Sequence, residues 1–286
     1  PDNSQINTLF NWTRNNGTQF WNYRFSGSEL YYSTQGTGDW AVCGNGTFTG
    51  NHVGHTVLND VMICGDGVGS TRHSSDGTSF TITPAAPIAE YFENYQGRVY
   101  AGGTASDLFY STTGTASDWT TDSTSILISD AGRINGVFKN SDRLFINKNS
   151  GKMFKWDGDS LVDMATELAY TSIYSMGEVE GYKMGLNRMG FYGNGGGAPE
   201  VLSNPVQKQI YNNDGSGISG SNFNTAPGAA FRYDYFCSVG TVPDDYTKIP
   251  VPDCVMKYDV QLNEWKNWSF ANPPTAMTSY LEVDGN

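Results

Sequence analysis

The sequence predicts an all-β fold of short antiparallel sheets, and two observations carry that expectation. The first is composition. Only 16% of the 286 residues are charged, while Gly (34), Tyr (17), Phe (15) and Trp (7) are abundant. Aromatic side chains suit a pleated sheet surface, whereas helices need Ala, Leu, Glu and Lys where this chain places Thr, Ser, Asn and Gly. The second is an imperfect repeat of strand, turn and return strand. Leu30-Tyr31-Tyr32-Ser33-Thr34-Gln35-Gly36, running to Trp40, matches Leu108-Phe109-Tyr110-Ser111-Thr112-Thr113-Gly114, running to Trp119.

Further copies follow. Ser74-Ser75-Asp76-Gly77 with Phe80 lies between the first two; Met153-Phe154-Lys155-Trp156-Asp157-Gly158 and Val255-Met256-Lys257-Tyr258-Asp259 come later, with a weaker copy at residues 200–204. A polar turn and an alternating apolar run precede the copies, at residues 59–64, 96–101, 141–146 and 232–237. The turn residues supply positive φ or side-chain capping, and the alternation gives a strand with one buried face. With Ser33, Ser74, Ser111, Trp156, Ser203 and Tyr258 as equivalent points, the spacings are 41, 37, 45, 47 and 55. Propeller blades of four strands recur at about 40–50 residues.

One such sheet cannot bury both faces alone, and packing neighbours round a ring solves that problem. The predicted fold is therefore an all-β, β-propeller of six or seven four-stranded blades, with a pair of β-sandwiches as the rival. The blades fall near residues 6–48, 53–84, 87–127, 132–167, 172–206 and 227–269 of a single domain, 1–286. A further blade or the ring closure is expected at 275–286, and the start at Pro1 suggests part of a longer chain. Pro205 through Tyr211 reads as one or two helical turns, with Pro at the first position, followed by a long Asn-Asp-Gly-Ser-Gly loop.

The search for chemistry assigns no catalytic, cofactor-binding or metal-binding residue. His52, His55 and His73 are the only histidines. His52-x-x-His55 lacks a third ligand, and no Gly-x-Ser-x-Gly elbow presents a serine. Asp66-Gly67, Asp157-Gly158-Asp159 and Asn213-Asp214-Gly215 do not fit a calcium loop and read as hairpin turns. Gly193-Asn194-Gly195-Gly196-Gly197 lacks the Lys-Ser/Thr of a phosphate loop and reads as a turn. The sequons at Asn11, Asn16, Asn45 and Asn267 are a chance expectation in a chain rich in Asn, Ser and Thr. Cys43, Cys64, Cys237 and Cys254 read as buried thiols, with a Cys237–Cys254 bridge as the alternative. Tyr31, Tyr32, Trp40, Trp119 and Trp156 could stack on a glycan, but aromatics at equivalent repeat positions more often pack between blades.

A net charge of −12 works against wrapping nucleic acid or resting on an anionic membrane, and no run of 18 apolar residues occurs. Neither a membrane nor sequence-specific nucleic acid is an expected partner.

Two resemblances add to this reading. Ser74-Ser75-Asp76-Gly77 with Phe80 resembles the Asp-box hairpin of sialidases and related propellers, one residue short of the usual spacing. That box is a structural turn, and no arginine cluster for a sialidase substrate is distinguishable here. The second is carried by Val179-Glu180-Gly181-Tyr182, Leu186-Asn187-Arg188-Met189-Gly190-Phe191-Tyr192-Gly193, Leu202-Ser203-Asn204-Pro205-Val206-Gln207, Ile210-Tyr211, residues 255–265 and 270–276, with residues 97–103 and 108–111. Over about two-thirds of the chain these turn-and-strand signatures resemble propeller-like virion structural proteins of tailed bacteriophages. The resemblance implies a non-enzymatic subunit of the tail, neck or tail-tip assembly, located in the virion. Its implied partners are other virion subunits in a homo-oligomeric ring, with roles in DNA passage or host contact. The alternative is a carbohydrate-binding propeller that recognises a host surface glycan.

Overall fold

Among the described residues the repeat becomes six four-stranded antiparallel sheets, each a meander whose strands pair in sequence order. The computed structural model describes residues 5–14, 17–34, 38–121, 124–164, 169–210, 217–219, 222–243, 250–271 and 274–278. The chain divides into two compact units, Pro1–Ala169 and Tyr170–Asn286.

The first unit holds four sheets. They are β1 (Ile6–Arg14), β2 (Gln19–Ser26), β3 (Glu29–Thr34) and β4 (Ala41–Thr47); β5 (Gly54–Leu58), β6 (Val61–Gly65), β7 (Arg72–Ser74) and β8 (Thr81–Ile82); β9 (Ala89–Tyr95), β10 (Arg98–Gly103), β11 (Leu108–Tyr110) and β12 (Thr124–Ile126); and β13 (Ile134–Asn140), β14 (Arg143–Lys148), β15 (Met153–Trp156) and β16 (Leu161–Asp163). The second unit holds β17 (Ser172–Val179), β18 (Tyr182–Asn187), β19 (Gly190–Asn194) and β20 (Glu200–Val201), then β21 (Gly228–Phe231), β22 (Asp234–Pro243), β23 (Pro250–Asp259) and β24 (Glu264–Ser269). A 3-10 turn (Asn204–Val206) leads into α1 (Gln207–Ile210), with Pro205 in its first turn as the sequence predicts, and α2 (Asn222–Thr225) follows. Residues 275–278 of the expected seventh element form no strand; 279–286 and Asn213-Asp214-Gly215 lie outside the described residues.

The hairpins form where the sequence supplies left-handed residues. β5–β6, β9–β10 and β17–β18 each turn through two residues of positive φ: Asn59 and Asp60, Gln96 and Gly97, Glu180 and Gly181. Such turns match the right-handed strand twist. The repeat also needs one correction of register. Ser33, Ser74, Trp156 and Tyr258 lie on third strands and Ser111 directly follows one, but Ser203 follows a fourth strand. The third strand of that sheet is β19, which ends at Asn194 inside the glycine-rich run read as a turn. Phe191 and Tyr192 are its buried aromatics.

The cores lie between successive sheets. Phe10, Trp12, Trp21, Tyr23 and Phe25 of the first sheet meet Met62, Cys64 and Phe80 of the second. Ile63, between Met62 and Cys64, points to the opposite face and joins Ala89, Val99 and Trp119 of the third. Tyr100 and Leu108 then meet Val137, Leu144 and Ile146. In the second unit Met184, Leu186 and Phe191 meet Tyr235, Cys237 and Met256, with Val206 and Ile210 of the helical turns closing that core.

First strands of neighbouring sheets run side by side, so closely that two positions admit only glycine. A Cβ on Gly54 would sit 1.6 Å from the Glu90 carbonyl oxygen, and one on Gly228 would sit 2.1 Å from that of Ser175. Replacing Gly54 with Ala forces backbone apart along β5 and β9. We predict that Gly54→Ala lowers thermal stability by about 5–10 °C, as backbone displacement in a packed core costs about 2–3 kcal/mol. Gly197→Ala, where the added methyl meets nothing within 4 Å, leaves the melting temperature unchanged in a calorimetric scan.

Candidate functional site

Most residues singled out in the sequence have structural work. His52 Nδ1 donates to the Asn7 carbonyl at 2.9 Å, and His73 Nδ1 lies 3.0 Å from Thr83 Oγ1. The His55 ring stacks on Phe10 at 3.9 Å, and burial pushes its pKa down to about 4. Among the described residues no three His, Cys, Asp or Glu side chains converge on a metal position. All four cysteines are buried and free, and burial pushes the Cys43, Cys237 and Cys254 thiols up to about 12. Of the sequon residues, Asn11, Asn45 and Asn267 lie on strands β1, β4 and β24, and Asn16 is outside the described residues.

The Asp-box resemblance has a physical basis. Asp76 Oδ1 accepts from Thr78 N and Ser79 N, both at 2.8 Å, and from Ser74 Oγ at 3.1 Å. The Gly77 carbonyl accepts from Tyr23 Oη at 2.7 Å, pinning the turn to the first sheet. The same device recurs between the third and fourth strands of other sheets. Asp118 accepts from Thr120 N, Asp157 from Asp159 N and Ser160 N, Asp259 from Gln261 N and Leu262 N, and Asn194 from Gly196 N. These backbone donors hold the Asp157 carboxyl down at about 2, first among them Ser160.

The candidate aromatics are also engaged. The Tyr31 and Trp40 rings both lie against the Arg24 guanidinium, at 4.7 and 5.0 Å. Tyr32 packs on the first core. Trp119 is buried with Nε1 donating to the Ala116 carbonyl, and Trp156 Nε1 donates to Tyr100 Oη at 3.4 Å. Exposed aromatics lie instead at Tyr182 on β18 and on the last sheet, where Trp268 is 44% exposed and tilts against Phe236 at 5.4 Å.

The polar site that the sequence did not mark lies at the start of the first strands in the first unit. Asn7, Glu90 and Asn135 are each the extra residue of a β-bulge, skipped between Ile6 and Thr8, Ala89 and Tyr91, and Ile134 and Gly136. Bulges re-aim a side chain out of the ladder and recur near functional sites. Asp66 stands beside this end. Its Oδ2 accepts from Thr49 N (2.7 Å) and Gly50 N (2.8 Å), and its Oδ1 from Val68 N (3.0 Å) and Gly69 N (2.7 Å). Burial works against its charge, but the four backbone donors prevail and its pKa is lowered. Glu90 goes the other way. Burial raises it to about 7, against a hydrogen bond with Tyr91 and the nearby Arg133 charge, with Asp66 adding to the rise. Lys148, fully buried, donates to the Ser106 carbonyl at 2.5 Å near Asp107 and Asp130.

No family model matches the chain, and no curated protein matches it. Solved structures do. The computationally designed Ika8 protein aligns with a TM-score of 0.54 at 10% identity, covering 96% of this chain and 90% of its own. YCF48 bound to D1 peptide aligns with a TM-score of 0.57 at 10% identity, covering 93% and 82%. Both are propeller proteins, and with six four-stranded sheets among the described residues this chain has the β-propeller fold. At that identity the likeness defines the fold.

The two carboxyls give opposite pH slopes. Asp66, lowered on folding, stabilises above its unfolded pKa, and that share is lost as pH falls through its folded value. Glu90, raised on folding, favours the native state below about pH 4.5, and that share is lost as pH rises through about 7. Glu90→Gln is therefore predicted to raise stability at pH 8 by at most about 3 kcal/mol and to do little at pH 5. Asp66→Asn lowers stability at pH 7 by about 2–4 kcal/mol. Urea unfolding of both variants at the stated pH checks each sign.

Proposed function

We propose that this propeller is a non-enzymatic structural subunit of a tailed-bacteriophage virion, built into the tail, neck or tail-tip assembly beside other virion subunits. The observation that supports it is where the resemblance-bearing residues of the second unit meet. Ser203 Oγ accepts from Phe191 N at 3.1 Å and donates to Gln207 Oε1 at 3.1 Å, while Gln207 Nε2 donates to the Met189 carbonyl at 2.7 Å. Trp265 Nε1 donates to the Leu202 carbonyl at 3.0 Å and its ring lies 4.6 Å from Phe191. Three separated stretches of the resemblance thus make one clasp of hydrogen bonds and ring contact.

The engagement of the histidines in packing and hydrogen bonds, and of the turn carboxylates with their own backbone, favours a scaffold over a catalyst. The net charge of −12 favours a surface along which DNA passes without adhering. A carbohydrate-binding role is the second reading, and the exposed Trp268 favours it.

Gold-labelled antibody against this chain, applied to purified phage particles that carry it, is predicted to decorate the tail axis or neck in a ring. Absence of the chain from particles would overturn the structural reading. Saturable glycan-array binding that is lost in Trp268→Ala would favour the second.

A further inference from the structure

The first sheet carries an arginine without a counter-charge. Arg24 on β2 pairs with Leu9 of β1 and Tyr31 of β3, and Tyr31 pairs with Val42 of β4. These four side chains therefore form one row on one face, opposite the face on which Tyr23 and Phe25 enter the core. The Arg24 Cζ lies over the Tyr31 ring at 4.7 Å and over the Trp40 ring at 5.0 Å. A cation is attracted to the face of a ring without giving up an N–H, so the five guanidinium donors stay unspent. Among the described residues none of them meets a hydrogen-bond acceptor or a carboxylate. Arg24 is half-buried: Nε is closed off from water, and the two Nη groups open to solvent.

Several basic groups elsewhere do find acceptors. Lys152, Lys183, Lys257 and Lys266 each reach a carboxylate, and Arg72, Arg98 and Arg143 donate to backbone carbonyls. The acids nearest Arg24 in the sheet do not reach it. Glu29, two residues before Tyr31, accepts from Thr47 Oγ1 at 3.1 Å, and Asp39, beside Trp40, is exposed. An amide adjoins the guanidinium instead. Asn22 precedes Arg24 by two residues on β2, so it lies on the same face about 7 Å along the strand. It is half-buried and makes no hydrogen bond among the described residues, which leaves its donor and acceptor to solvent.

We propose that Arg24 and Asn22 form a recognition site for an acidic sugar, a hexuronate residue of a glycan. Its carboxylate accepts from Nη1 and Nη2 together, the paired geometry in which guanidinium and carboxylate fit best. A sugar hydroxyl both donates and accepts, as the Asn22 amide does, so the two groups suit one another at the neighbouring position. Tyr31 and Trp40 hold the guanidinium in place beforehand, so little side-chain freedom is lost when the sugar arrives. The net charge of −12 repels an anion at long range, and the attraction is therefore one of direct contact. The site rests neither on Trp268 nor on the virion reading.

The test is an NMR titration of the full chain with methyl glucuronide, methyl glucoside and acetate. The glucuronide is expected to bind saturably, and the glucoside and acetate about tenfold more weakly, since each lacks one half of the pairing. Arg24→Gln abolishes binding. Arg24→Lys keeps a cation but loses the paired donors, and weakens binding about tenfold. Asn22→Ala weakens it about fivefold. Amide spectra away from the site report that each variant is folded, and Arg24→Lys carries the test if Arg24→Gln unfolds. Absence of saturable glucuronide binding, equal binding of the glucoside or of acetate, or undiminished binding in a folded variant overturns the site.

Discussion

Backbone contact between first strands is the constraint on which this architecture depends. A four-stranded sheet with aromatics on both faces is stable only when each face is covered by another sheet. In the first unit Gly54 lets β5 approach β9, and in the second Gly228 lets β21 approach β17. The contact brings the faces close enough for Ile63 to meet Val99 and for Phe191 to meet Tyr235, whose ring centroids are 6.0 Å apart. Side-chain hydrogen bonds then cross the same seams. Asn94 Nδ2 donates to the Val57 carbonyl at 2.8 Å, and Tyr235 Oη donates to that of Ser175 at 2.6 Å. The outer strands contribute less: Thr81 and Ile82 of β8, like Glu200 and Val201 of β20, are exposed.

The acidic residues divide into two physical groups. Asp76, Asp118, Asp157 and Asp259 are turn carboxylates that accept from their own backbone, so their charge is balanced locally and faces water. Asp66 and Glu90 are packed between sheets and respond to burial in opposite senses. Asp66 has four backbone donors and stays ionised; Glu90 has too few to offset its burial and titrates near neutrality. The difference is the number of N–H groups aimed at each carboxyl. Both sit at the same end of the first unit, which is why that end, rather than the Asx turns, concentrates unusual chemistry.

What the sequence disclosed follows from which interactions are local. Asn59-Asp60 and Gln96-Gly97 announce their hairpins because positive φ is a property of the residues themselves. Leu108-Phe109-Tyr110 announces its strand by composition. The glycine-rich run at residues 193–197 misled because its first two residues, Gly193 and Asn194, complete a buried strand that begins at Gly190. The Asp76 box was legible because Ser74, Asp76 and Gly77 are near neighbours in sequence. Glu90 was not, since its environment comes from Gly54, Asp66 and Arg133, brought together only by packing between sheets. A bulge leaves no mark in an alternating pattern when, as with Ala89-Glu90-Tyr91, polar and apolar residues already alternate.

Native-state hydrogen exchange tests the central claim most directly, because it reads the stability of each strand separately. If the first strands are held by their mutual contact, the amides of β9 and β5 exchange only on global unfolding, while those of β8 and β12 open earlier by local fraying. Equal protection across all four strands, or early exchange along β9, would contradict the account.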